Sequence, residues 1–199
     1  MRQSQLAGRL TFLVAIFAVL FLVFGFTTWR TLEQVKVKGP IYNQIVQGKD
    51  LIADVLPPPE YIIEAYLVVL QEAEETDPTR IAQLIERGER LRLDYESRQE
   101  YWRRELAPDE LKDYMTVAAS KSATEFFRIR DEQFVPALRA GDRERVRALI
   151  PLMNRHYEAH RLAIDQVVSI ATKRNADHEK EADILIAEQQ RTLLLLALA

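Results

Sequence analysis

The residues able to do chemistry gather at a few helical spacings. His156 and His160 stand four apart, which puts both on one face of a helix, as in a two-histidine metal pair. In the stretch HYEAH the acid does not follow the first histidine, so the order of a zinc protease is missing. Further ligands would have to come from Glu60, Glu64 or Glu125 on other segments. His160 also falls on an apolar stripe, where a hydrogen-bonded core histidine is the plainer role, and no metal is expected. Asp50 and Asp54 form a second pair at helical spacing, beside Lys49. Paired carboxylates can do acid/base work. No nucleophile or base stands in pattern around them, so they read as a solvated face or a dimer contact. No catalytic residue, enzyme activity or cofactor is expected.

A richer group of polar and aromatic residues surrounds a run of three prolines, Pro57, Pro58 and Pro59. Counted from the chain reversals near 76–78 and 140–142, Tyr61 and Glu64 fall at similar heights to Tyr95 and Arg98. Arg155, His156, Tyr157, His160 and Arg161 fall there too. Consecutive prolines supply no amide hydrogens and leave carbonyls near 53–55 without helical partners. A kink there would open a pocket, lined by tyrosines, in which arginine and histidine bind an organic acid or another anion. The alternative is that the prolines only bend the helix, the tyrosines are core and the charges face water.

The elements that must position these groups are helical. Apolar residues recur at three-four spacing almost everywhere from Thr31 to Gln190, with no strand alternation and no internal repeat. One stripe runs Val146, Leu149, Met153, Tyr157, His160, Ile164, Val167, Ala171, and another runs Ile81, Leu84, Gly88, Leu91, Tyr95, Trp102. Asp77-Pro78 is a helix start with Asp as N-cap and Pro at the first position. Ala107-Pro108-Asp109-Glu110 is another, and Ala140-Gly141-Asp142 is a stop followed by a start. These breaks, with the prolines, give segments 31–56, 60–76, 78–106, 108–140 and 142–190. Pro136 and Pro151 interrupt the last two and are expected opposite one another across the 141 reversal.

The chain is apolar at both ends. Leu10 to Trp29 carries no charge and, at about twenty residues, is long enough to cross a bilayer core of roughly 30 Å. It is too long for a signal-peptide core and lacks a small-x-small cleavage site at its exit. Leu193 to Ala199, LLLLALA, reads as the start of a second span. Arg2 and Arg9 before the first span favour a cytoplasmic N-terminus, against Arg30, Lys36 and Lys38 after it, and a cytoplasmic N-terminus is expected. A chain that leaves the membrane and returns to it through short reversals needs an even number of legs. The triple proline is then a kink within one leg, and the expected fold is all-α: a transmembrane helix, then an up-down-up-down four-helix bundle with long first and fourth helices. The expected divisions are 1–9 cytoplasmic, 10–29 transmembrane, 30–191 bundle and 192–199 second span.

With no cysteine, disulfides, thiolate metal sites and cysteine nucleophiles are excluded. Twenty-seven basic and 30 acidic side chains are interspersed, for a net charge of −3, and no basic block marks a nucleic-acid surface.

This layout, together with the stretch GPIYNQIVQGKDLIADVLPPPEYIIEAYL from Gly39 to Leu67, resembles the sensory region of bacterial methyl-accepting chemotaxis proteins. The resemblance implies a receptor in the bacterial inner membrane with a periplasmic ligand-binding bundle. It also implies a homodimer, and as stimulus a small molecule or a periplasmic binding protein. Ligand binding would cross the membrane as a helix displacement. Aspartate-sensing members use arginines on the first and fourth helices, but the first leg here has no arginine between Thr31 and Thr76. Sensor histidine kinases and diguanylate cyclases share the layout, and a membrane-tethered helical scaffold without ligand is the rival of another class.

Overall fold

A computed structural model describes residues 2–55 and 62–198. The described residues are all-α, without a strand. The chain divides into two units, one of residues 1–48 with 174–199 and one of residues 49–173.

In the first unit, helix α1 (Arg2–Val35) carries the apolar run and is long and apolar enough to cross a membrane. Phe12, Phe17 and Leu22 of this run lie exposed. The uninterrupted helix expected from Thr31 onward breaks at 36–39. Lys38 adopts φ +67°, the left-handed conformation that usually ends a helix at glycine. A side chain on Gly39 would lie 2.8 Å from the carbonyls of Glu33, Gln34 and Lys36. Pro40 then opens helix α2 (Pro40–Val55), because a first-turn residue needs no amide hydrogen. The Gly-Pro pair was the signal for this break.

Helix α8 (Arg143–Leu198) contributes its last part to this unit. Gln189 donates to the Thr28 hydroxyl at 3.2 Å and accepts from that of Thr31 at 3.1 Å. Asn175, 7% exposed, lies against Gly48, where a Cβ would meet its Oδ1 at 2.0 Å. Pairing 28 and 31 with 189 and 48 with 175 makes α1–α2 and the end of α8 antiparallel neighbours. Leu13, Phe17, Leu20 and Phe24 line one groove with Leu193 and Leu196.

In the second unit, Asp77 accepts from the Thr79 amide and starts helix α4 (Pro78–Glu105). Asp109 accepts from the amides of Leu111 and Lys112 and starts the leg at 110–139. Gly141, at φ +73°, turns the chain into α8, where the Asp142 side chain caps the Arg145 amide. Helix α3 (Ile63–Glu74) precedes α4. The leg at 110–139 is composite: α5 (Glu110–Asp113), a π turn π1 (Tyr114–Ala119), α6 (Ser120–Ile129), a second π turn π2 (Arg130–Phe134) and α7 (Val135–Arg139). The second π turn ends just before Pro136, whose missing amide an unbroken α-helix would require.

Side-chain partners fix the neighbours. Glu64 meets Arg87 of α4. Tyr95 packs on Phe127 and Gln99 donates to the Met115 carbonyl. Arg145 donates to Gln133, and Ala119 meets His160. Arg143 donates to the Ala73 carbonyl while Tyr66 stacks on Tyr157. In each of the last three pairs of neighbours one number rises as the other falls, so these neighbours are antiparallel. This register sets Pro151 opposite the region of Arg128, so it does not face Pro136 as the sequence suggested.

The core is two apolar clusters. One holds Val69, Phe126, Phe127, Phe134, Met153 and Tyr157, and the other holds Leu51, Val55, Trp102, Met115, Ile164 and Val167. Each fully buried aliphatic or aromatic side chain contributes about 1.5–3 kcal/mol. On α4, buried Gln99 falls between Tyr95 of the first cluster and Trp102 of the second. On α8, buried His160 falls between Tyr157 and Ile164.

Candidate functional site

The residues singled out by spacing separate into three environments. Pro57, Pro58, Pro59 and Tyr61 lie outside the described residues. Tyr95, Tyr157 and His160 are core residues. Tyr157 stacks on Tyr66 with ring centroids 4.7 Å apart, and the Tyr95 ring meets His160 edge-on at 6.1 Å. His160 Nδ1 lies 3.0 Å from the Ala119 carbonyl, so that nitrogen carries the proton and donates. Two side chains thus bond to carbonyls of π1: His160 to Ala119 and Gln99 to Met115. A π turn shifts backbone pairing by a residue, which suits its carbonyls to side-chain donors.

The remaining candidates lie at the edge of the unit. Glu64 pairs with Arg87 at 2.6 Å. Arg98 pairs with Asp54, and its guanidinium sits 4.6 Å from the Tyr101 ring centroid and 5.9 Å from that of Trp102. The Trp102 indole donates to the same Asp54 carboxylate at 3.1 Å. Asp54 therefore ties α2 to α4 and is no solvated face. Arg155 and Arg161 are exposed, the latter paired with Glu158 one turn away on α8. His156 is half-buried beside Glu125 while His160 is fully buried, so the two histidines do not converge. Among the described residues no group of three His, Asp or Glu side chains could hold a metal ion.

A different polar centre lies inside the first cluster. Glu72 and Arg130 are 0% and 1% exposed and meet at 2.9 Å. Arg130 also donates to the Ile85 carbonyl at 3.0 Å and to Asp131 at 2.8 Å, and Asp131 in turn pairs with Arg92 at 3.1 Å. Arg92 is held on its outer side by Glu89 and Glu96. The guanidinium of Arg130 lies over Gly88, where a Cβ would fall 2.1 Å from Nη2. Burial pushes the Glu72 carboxyl above its ordinary value, and the attraction of Arg130 opposes this without cancelling it. Burial raises the Asp131 carboxyl as well. Gly88 on an apolar helical stripe was the visible trace of this centre. Glu72 gave none, because it sits in the acidic run QEAEE.

One turn above this pair, toward the 76–78 and 140–142 turns, α4 and α7 leave a cleft of about 470 Å³. Ile81, Ala82, Ile85 and Leu138 line its apolar part, with Thr76, Arg139 and Arg143 among its polar groups, and no carboxylate lines it. Arg143 is committed to the carbonyls of Ala73 and Glu75. Ile85 joins the two features: its side chain lines the cleft and its carbonyl accepts from Arg130.

No protein-family model, curated protein or solved structure matches the chain.

Proposed function

We propose that the chain is the sensor region of a methyl-accepting chemotaxis receptor, anchored in a bacterial inner membrane with residues 30–191 in the periplasm. One observation carries this reading. Within the first unit the apolar run of α1 and the apolar end of α8 line one groove, and just beyond it Thr28 and Thr31 bond to Gln189. Two adjacent antiparallel apolar helices, with the intervening chain as a separate unit, are what a receptor with an extracytoplasmic loop domain requires. The antiparallel pairings in the second unit support an up-down-up-down bundle as its topology.

The receptor works by population shift. A ligand that prefers one arrangement of the helices biases a small displacement of α8, which the membrane segment carries inward. The buried Glu72–Arg130 pair suits such a device. It is specific to one register and costly to hold half-broken, so its arrangements are discrete.

The test grafts residues 1–191 onto the signalling half of a well-behaved chemoreceptor. Kinase output is then followed against organic acids, amino acids, inorganic anions and divalent metals. A saturable response to one class is expected. A chimera that reaches the membrane and supports kinase activity, yet stays flat across the panel and with periplasmic extract, contradicts the receptor reading and favours a ligandless scaffold.

A further inference from the structure

We infer that the cleft between α4 and α7 binds a small amphipathic monocarboxylate, with Arg139 as its counter-ion. The site's purpose as a stimulus input rests on the receptor reading; its chemistry does not.

Two arginines and no carboxylate line the cleft. Three acids that flank the lining residues accept from backbone amides. Glu75 accepts from the amides of Thr76 and Asp77, which holds its carboxyl below the ordinary value. Asp77 accepts from Thr79, and Asp142 accepts from Arg145. Arg143 uses two of its five N–H donors on backbone carbonyls. Arg139 is exposed and makes no hydrogen bond or ion pair among the described residues. The cleft therefore offers a guanidinium with all its donors free beside an apolar floor.

That combination selects the ligand class. The free guanidinium of Arg139 can bind one carboxylate through two parallel hydrogen bonds. Ile81, Ile85 and Leu138 reward an apolar body and disfavour strongly hydrated dianions such as phosphate. The volume, about 470 Å³, falls in the range of small-molecule sites. A ring or branched chain carrying one carboxylate fits, and an amino acid's ammonium would meet repulsion from Arg139.

The test uses the full chain in lipid nanodiscs, with phenylacetate as probe and the isosteric neutral phenylacetamide as control. Phenylacetate should bind saturably by calorimetry. Arg139→Gln should weaken it at least tenfold and leave phenylacetamide unchanged. Ala82→Trp, at an exposed wall position, should block both probes. Should that variant lower the helical melt, Thr76→Trp fills the same space from the other side. Absence of saturable binding by phenylacetate, benzoate and 3-methylbutanoate, or binding that both substitutions leave intact, overturns the site. Neither result touches the chimera's response, which judges the receptor reading separately.

Discussion

The guanidinium of Arg130 occupies the space that a side chain on Gly88 would need, with 2.1 Å left between an added Cβ and Nη2. Gly88 lies inside α4, where glycine costs about 1 kcal/mol relative to alanine. That cost buys close approach for a cation whose partner, Glu72, is equally buried.

Gly88→Ala is therefore destabilising although it favours the helix. The added methyl meets the far end of a long side chain, which would ordinarily swing away, but Arg130 is enclosed and tied to Glu72, Ile85 and Asp131. Displacing it leaves Glu72 buried without its partner, a loss of about 3–5 kcal/mol, partly offset by about 1 kcal/mol of helix propensity. Thermal or denaturant unfolding should show a net loss of about 2–4 kcal/mol. In Arg130→Met the same Gly88→Ala change should cost far less; equal costs in the two backgrounds would refute the coupling.

Glu72 makes stability depend on pH in an unusual direction. Its folded carboxyl sits above the ordinary value, with burial as the leading cause. Between the ordinary value and the raised one, the folded chain holds more protons than the unfolded chain. Glu72's contribution therefore falls as pH rises through that window and grows as pH drops. Glu72→Gln removes the titration. The stability of wild type relative to this variant should decline with rising pH across the window and flatten above it. A difference that climbs with pH would mean that Arg130 outweighs burial.

Much of this architecture was legible from spacing. All eight residues of the stripe from Val146 to Ala171 are buried. Asp77 caps as its position suggested and Gly141 takes the left-handed turn, while the helix expected from 108 starts at Glu110 with Asp109 as its cap. These signals are local, so a single chain carries them. The break at 36–39 was also local and went unread because apolar residues continue on both sides of it. The π turns had no such trace, since one extra residue per turn is settled by what packs against it, here Gln99 and His160 on π1. The Glu72–Arg130 pair joins residues 58 positions apart, and Glu72 sits in a charged neighbourhood that reads as surface. Asp54 was misread for the same reason: its partners Arg98 and Trp102 are remote in sequence.

Asp54 should matter as a tie. Asp54→Ala leaves the Trp102 indole, whose ring is 1% exposed, without its acceptor and leaves Arg98 unpaired over two rings. A loss of about 1–3 kcal/mol is expected from the orphaned donor. A red shift of Trp102 fluorescence in a Trp29→Phe background should accompany it. An unchanged melting curve and spectrum would show that α2 is held without this contact.

The contact of Gln189 with Thr28 and Thr31 predicts a cross-link. The chain has no cysteine, so Thr31→Cys with Gln189→Cys gives a clean pair. Mild oxidation in membranes should close the disulfide within one chain, and Thr31→Cys with Asp177→Cys, twelve residues from 189 along α8, should stay open. A stimulus that activates the chimera should change the closing rate. A rate indifferent to an active stimulus would refute helix displacement as the signal.

An extracytoplasmic domain on a membrane anchor puts residues before and after the apolar run on opposite sides of the membrane, where a membrane-impermeant maleimide distinguishes them. Glu144→Cys is exposed in the second unit, and Gly8→Cys, open to solvent, precedes the apolar run. In intact cells with a permeabilised outer membrane, Glu144→Cys should label at once and Gly8→Cys only after the inner membrane is opened. Labelling of Gly8→Cys with protection of Glu144→Cys, or equal release of both by washing, would contradict the receptor reading at its base.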